Sequence, residues 1–287
     1  MFTKALSRCL QGRGVRFVFS SGMAQHQENC FRGQVDRYNG ITVDSKAEPC
    51  DVALFPERLE ASLDQWAKDK RRTIWFRVDL DQSYWIPELT KRGFQFHHAK
   101  QEQATLYRWL PEVETCNVPP YAHTNLGVGA VVLNEETKEI LVVKERHSIA
   151  SAHWKLPGGY VEPGEDMTTA VEREVLEETG VIAKFKCMLA FRHAHRYAFG
   201  CSDIYTISCL IPQTFDIVKC DREISECKWM KLDEFMSHPH VHDNNRLLAS
   251  KVKEYLEHGM GITVTQAIHP VNKKPISVYS VADTKES

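Results

Sequence analysis

The chain has 287 residues, long enough for two domains with separate cores. A hydrophobic share of 43% and a charged share of 26% are ordinary for a globular protein, and a formal net charge of -2 provides no overall field to recruit nucleic acid. No apolar run reaches the length of a transmembrane helix, and nine scattered cysteines without a C-x-x-C pair suit free thiols better than a disulfide framework or a zinc site.

Residues 1–27 carry Lys4, Arg8, Arg13 and Arg16 among Phe2, Leu6 and Leu10, with no acid before Glu28. That composition fits a mitochondrial transit peptide and, equally, a basic tail on a cytoplasmic or nuclear protein, so residues 1–33 are set apart from the fold. The first folded region is expected over 34–112. A strand at 41–43 follows the Asn39-Gly40 turn signal, and a helix over 56–70 puts Leu59, Leu63 and Trp66 on one stripe. A strand at 73–80, a helix at 84–92 and strands at 94–97 and 105–109 complete a small α/β unit. Lys68, Lys70, Arg71 and Arg72 read as a solvated helix end, and His97-His98 as packing and surface residues.

Pro111, Pro119 and Pro120 mark a linker over 111–124. The second domain is expected over 123–270, with strands at 127–133 and 140–144 and later at 184–193, 202–210 and 226–230. Helices are expected at 232–236 and 246–258, and residues 271–287 read as a charged tail. The lone Gly127-Val128-Gly129 is a weak signal for dinucleotide binding. His238, His240 and His242 alternate in a loop, a spacing that more often goes unliganded.

Between these strands, residues 159–181 read GYVEPGEDMTTAVEREVLEETGV. From 166 to 179 the segment lacks Pro and Gly and is rich in helix formers. Asp166 can serve as N-cap, and Gly180 stands where a helix ends in a left-handed residue. Glu174, Glu177 and Glu178 then lie at i, i+3 and i+4 on one face, while Val171 and Val175 offer an apolar stripe toward a sheet. Like charges at that spacing destabilise a bare helix by a few tenths of a kcal/mol per pair. A hard divalent cation, Mg²⁺ or Mn²⁺, reverses that balance.

The frame G-x5-E-x7-R-E-U-x-E-E-x-G-U, with U an aliphatic residue, is filled here by Gly159, Glu165, Arg173, Glu174, Val175, Glu177, Glu178, Gly180 and Val181. It is the Nudix box, and the chain resembles the Nudix hydrolases. The resemblance implies an α/β/α sandwich and Mg²⁺, with Mn²⁺ as substitute. It implies that Glu177 and Glu178 are metal ligands beside the Gly159 carbonyl, that Glu174 is a further ligand or the base, and that Arg173 and Glu165 form an orienting ion pair. Residues 75–109, with Arg92-Gly93-Phe94 and Phe96-His97-His98-Ala99, are similar to the domain preceding the box in a subfamily of animal and plant Nudix hydrolases, a reduced GNAT-like fold. No acetyl-CoA phosphate loop is present in 34–110, which argues against acetyl transfer.

The stretch containing Arg192 and His195 resembles the corresponding segment of those relatives, where the two side chains would hold substrate phosphates. Glu223 falls where many members place a loop glutamate, and competes as general base. The implied activity is hydrolysis of a nucleoside diphosphate linked to another moiety, with ADP-ribose or NADH leading. The implied partner is a small nucleotide derivative, and a homodimer fits the family. A second reading keeps the scaffold for regulation, with the front domain as a binding module.

Overall fold

The computed structural model describes residues 29–147 and 153–284; the transit peptide or basic tail expected over residues 1–27 lies outside them. The chain divides into two compact units between Ala122 and His123. No helix among the described residues is long and apolar enough to cross a membrane.

The front unit is a five-stranded sheet in the order β1 (Gln34–Val35), β2 (Ile41–Asp44), β3 (Thr73–Asp79), β5 (Gln103–Trp109), β4 (Gln95–Lys100). Strands β2 and β3 are parallel, joined by a crossover through helix α1 (Phe55–Lys68). Pro56 sits in the first turn of α1, where its missing N–H costs nothing. Phe55, Leu59, Leu63 and Trp66 are buried along one stripe of α1. They pack with Phe76, with Leu106 and with Trp85 and Leu89 of α2 (Trp85–Lys91). Trp85 stacks on Phe55 at 4.4 Å between ring centroids. Phe31 belongs to the same core, 2% exposed, and its N–H donates to Ser62 Oγ at 2.8 Å. The folded unit thus begins before the expected boundary at residue 34, because an aromatic side chain at 31 fills the core.

Alternation along β3 and β5 sends Ile74, Phe76 and Leu106 into that core and leaves Trp75, Tyr107 and Trp109 on the other face. The segment expected as a free linker is bound there. Trp109 Nε1–H donates to the Glu114 carbonyl at 3.0 Å, and His97 Nε2 lies 2.9 Å from the Pro119 carbonyl.

The back unit is an eight-stranded mixed sheet. Seven strands run in the order β11 (Ile224–Lys231), β7 (Glu139–Glu145), β6 (Thr124–Asn134), β10 (Ser202–Pro212), β9 (Ala183–Ala194), β12 (Met260–Ile268), β13 (Pro275–Asp283), and β8 (Gly158–Tyr160) pairs with β6. Two cores lie on opposite faces of this sheet. Val128, Ala130 and Val132 of β6 pack with Val171 and Val175 of α3 (Met167–Thr179). Val131 and Leu133 pack instead with Phe235 of α4 (Leu232–Ser237) and with Val252 and Tyr255 of α5 (Asp243–His258). The period-two alternation of one strand therefore builds the expected α/β/α layering.

The Gly127-Val128-Gly129 pair serves packing. A Cβ on Gly127 or Gly129 would stand 2.6 or 2.7 Å from atoms of the Tyr205 side chain, so the missing side chains let Tyr205 lie across β6. The charged tail expected from 271 is also corrected. Residues 275–283 form β13, paired antiparallel with β12 along its whole length. Ile276, Val278, Tyr279 and Val281 give it strand character, and Lys273 and Lys274 lie in the hairpin turn, where Lys273 N–H donates to the His269 carbonyl at 3.0 Å.

Trp85 is fully buried and central to the front core. Trp85→Ala is expected to destabilise the front unit by about 3–5 kcal/mol. Urea unfolding followed by far-UV circular dichroism checks this, and a change below about 1 kcal/mol would contradict the packing described.

Candidate active site

Helix α3 ends as its sequence dictates. Gly180 adopts a left-handed φ of 73°, and its N–H donates to the Leu176 carbonyl at 2.8 Å. Its start departs from expectation. Asp166 has the extended backbone of an N-cap, but its side chain makes no cap bond; the carboxylate accepts from Ser277 Oγ of β13 at 2.9 Å. Burial of Val171 and Val175 turns the helix so that its three box glutamates become unequal. Glu178 is 5% exposed, whereas the Glu177 side chain is 60% exposed.

Strand β8 presses against this face. A Cβ on Gly159 would lie 2.6 Å from both carboxylate oxygens of Glu174, so any other residue there would displace that carboxylate. Gly158 has φ +150°, and a Cβ on it would stand 2.1 Å from the Val128 carbonyl oxygen. Its N–H donates to Glu178 Oε2 at 2.9 Å.

Arg173 gathers the remaining box acids. Its Nε and one terminal nitrogen donate to the two oxygens of Glu165 at 2.9 and 3.0 Å, the bidentate arrangement suited to guanidinium and carboxylate. Its other terminal nitrogen reaches Glu174 at 2.9 Å and Glu177 at 3.1 Å, and the Tyr160 carbonyl accepts a further bond at 3.1 Å. These partners hold the guanidinium firmly charged, and Arg173 in turn holds the Glu165 carboxyl below its usual range. The structure thus brings Glu165, Arg173, Glu174 and Gly159 together, with Glu177 at the exposed rim.

Two charged residues without any local sequence signal complete the cluster. Glu145, at the end of β7, forms an ion pair with Lys155, and Lys155 Nζ also lies 3.7 Å from Glu178. Glu145, His147, Glu178 and Glu223 line one cleft of about 230 Å³. Glu223 therefore shares a cleft with Glu178, from a largely solvated position 3.9 Å from Arg222. Burial pushes the Glu178 carboxyl up to about 7, opposed by Lys155 and the Gly158 N–H and reinforced by the charges of Glu174 and Glu145. Burial likewise raises Glu174, against the pull of Arg173 and with the repulsion of Glu177 and Glu223.

Arg192 and His195 lie at the end of β9. The Arg192 guanidinium donates to Asp203 at 3.1 Å and to the Tyr197 hydroxyl at 2.8 Å, and stands 5.1 Å from the centroids of both the Tyr197 and Tyr205 rings. The Arg192 guanidinium lies over the half-buried Tyr205 ring, and burial together with the Glu178 charge pushes the Tyr205 hydroxyl up against the pull of Arg192. His195 Nδ1 lies 2.9 Å from Ser202 Oγ. In the loop of alternating histidines, His242 caps α5 by accepting from Asn244 N–H, and His238 accepts from His240 N–H at 3.1 Å.

Among the described residues no three His, Cys, Asp or Glu side chains already surround a common metal position. The chemistry of the donors nevertheless fits a hard cation. The wall offers carboxylate oxygens beside a glycine backbone, and its buried acids repel one another. A stability consequence follows from Glu178. Its folded pKa lies above the ordinary 4.5, so the unfolded chain ionises first and metal-free stability falls as pH rises from about 4.5 to about 7. The loss assignable to this group is about 3 kcal/mol. Thermal unfolding in EDTA should show Glu178→Gln lacking that part of the decline, while an identical pH dependence in both proteins would remove Glu178 as its source.

Comparison with known proteins agrees with this geometry. A family model described as a NUDIX domain matches residues 123–250, and a second, described as a Nudix hydrolase domain, matches residues 31–110. Nudix hydrolase 7 of Arabidopsis thaliana is 37% identical over 221 residues, covering 76% of this chain and 78% of the relative. Nudix hydrolase 8 of the same plant is 35% identical, covering 85% of this chain and 67% of the relative. Nucleoside diphosphate-linked moiety X motif 6 of Mus musculus is 36% identical, covering 80% of this chain and 73% of the relative. With both units matched and the box in place on its helix, the chain belongs to the Nudix hydrolases, a family of pyrophosphatases.

Proposed function

We propose that this chain hydrolyses the pyrophosphate of a nucleoside diphosphate linked to another moiety, with ADP-ribose or NADH as the leading substrates. The observation that carries the reading is the convergence of Glu174, Glu178, Glu145 and Glu223 with Arg173 and Lys155 beside Gly159. The choice of substrate rests on the subfamily resemblance of the front region and of the Arg192–His195 segment.

Glu174, Glu177, Glu178 and the Gly159 carbonyl would hold Mg²⁺ or Mn²⁺, which supplies positive charge to the pyrophosphate oxygens and lowers the pKa of water. Arg173 keeps Glu165 and Glu174 in fixed orientation and so limits rearrangement when substrate enters. A carboxylate takes the proton from the attacking water as oxygen bonds to phosphorus. The P–O bond of the bridge breaks, and the departing phosphate carries the negative charge. Glu223, largely exposed, and Glu174, partly buried, both qualify for the proton. Arg192 and His195 would bind phosphate oxygens, Arg192 with an orientation fixed by Asp203. We read the front unit as GNAT-like in form and, lacking an acetyl-CoA loop, without transferase chemistry.

The test is product release from ADP-ribose, NADH, NAD⁺, FAD, CoA, capped RNA and 8-oxo-nucleotides, with Mg²⁺ and with EDTA. Turnover of ADP-ribose or NADH is expected to vanish in EDTA and to fall by about 10²–10⁴ in Glu178→Gln. Silence toward the whole panel by a folded, Mg²⁺-binding protein would reject the reading. Assignment of the base follows from Glu223→Gln and Glu174→Gln. The variant of the true base should lower kcat by about 10²–10⁴ and abolish the acidic limb of the kcat/KM profile. If both variants keep that limb, neither residue is the base.

A further inference from the structure

The front unit contains a pocket of about 360 Å³, within the range of small-molecule sites, that has no part in the acid wall. Its lining includes Tyr38, Trp75 and Trp109 as aromatic surface and Arg72, Thr73 and Asn117 as polar groups. The alternation of β3 and β5 puts Trp75 and Trp109 on the sheet face away from the helices, where they fill no core. The segment around Asn117–Pro119 crosses that face, tied down by His97 and by Glu114, and gives the pocket its wall.

The charges around it are mostly basic. Arg72 lies 5.0 Å from the Trp109 ring centroid and pairs with Glu114 at 2.6 Å, while its Nε–H is buried without a hydrogen-bond partner. Arg37 lies 4.7 Å from the Tyr38 centroid and donates to its hydroxyl at 2.6 Å. Arg71 donates to Asn39 at 2.7 Å, in the turn that carries Tyr38. The one lining carboxylate, Asp36, accepts at Oδ1 from the backbone N–H groups of Tyr38 and Gly40. The basic run of residues 70–72 is therefore more than a solvated helix end, since Arg72 enters the pocket itself.

These features select a ligand class. Aromatic walls with an acid suggest a cage for an organic cation, but guanidinium groups already engage the rings of Tyr38 and Trp109. An added cation would meet like charge. A flat, uncharged ring carrying an anionic group meets stacking surface and positive potential. The amide of Asn117 and the hydroxyl of Thr73 supply both donors and acceptors for a heteroaromatic edge. We propose that this pocket binds a nucleoside monophosphate, its base stacked on Trp75 and Trp109 and its phosphate drawn to Arg72. Asp36 is the one carboxylate in its lining, too little to hold a catalytic cation, so the site binds without cleaving, and the inference does not rest on the hydrolytic reading.

Calorimetric titration of the full-length protein with AMP in EDTA tests this, because EDTA removes cation-dependent phosphate binding at the acid wall. One saturable site is expected. Trp109→Leu should weaken AMP and adenosine alike by tenfold or more. Arg72→Gln should weaken AMP by about tenfold and leave adenosine unchanged, a split that a merely structural role would not produce. Circular dichroism checks the fold of both variants; if Trp109→Leu fails to fold, the Arg72→Gln split decides alone. Absence of saturable AMP binding, or wild-type affinity in Arg72→Gln, would overturn the proposal. So would tighter binding of a trimethyl-lysine peptide or of a ten-nucleotide single strand than of AMP, since either would assign the surface to a different ligand.

Discussion

Strand β8 and helix α3 approach so closely that a single methyl group on Gly159 would collide with the Glu174 carboxylate. The rest of the acid wall depends on that approach. It makes the glycine backbone of β8 and the Glu174 carboxylate neighbours, and it forces partial desolvation on acids that would otherwise face water. Desolvation is why Glu178 and Glu174 resist ionisation, and like-charge repulsion adds to it. Arg173 and Lys155 offset part of the cost by pairing with the same carboxylates. The geometry is thus held by close backbone contact on one side and by two cations on the other.

Much of this was legible because the box is local. Helix α3 stops within its own sequence, its apolar stripe and acidic face share one period, and Gly180 has no need of tertiary context to end it. Arg173 and Glu165 were legible as a pair for the same reason. Residues brought in from other strands were not. Glu145 and Lys155 become partners of Glu178 only through the pairing of β7 with the segment around Lys155, and a single Glu or Lys in a strand carries no such message. Tyr205 was hidden in the same way: the glycines that accommodate it are visible in β6, but the ring that needs them comes from β10.

Misread boundaries share a cause as well. Charge near a chain end suggests solvation, yet Lys273 and Lys274 belong to a hairpin turn flanked by β-branched residues that carry the strand. Phe31 falls within the segment set apart as a basic targeting sequence or tail, whereas its aromatic side chain anchors it in the front core. Asp166 kept its cap position and lost the cap bond to a serine of β13, a partner more than a hundred residues away in sequence. In each case a long-range contact prevailed over local composition.

The parallel pairing of β6 with β10 bears on the order in which the molecule can be assembled. Thr124 pairs with Ser202, and the register continues to Val132 and Leu210. On a ribosome the box helix emerges complete well before its sheet can close, because β6 has no parallel neighbour until β10 has been synthesised. Until then Val171 and Val175 have only part of their final surface, and three acidic side chains weaken the exposed helix. Catalytic geometry is therefore a late product of folding, and a nascent chain that stalls before residue 202 presents the box sequence without the site.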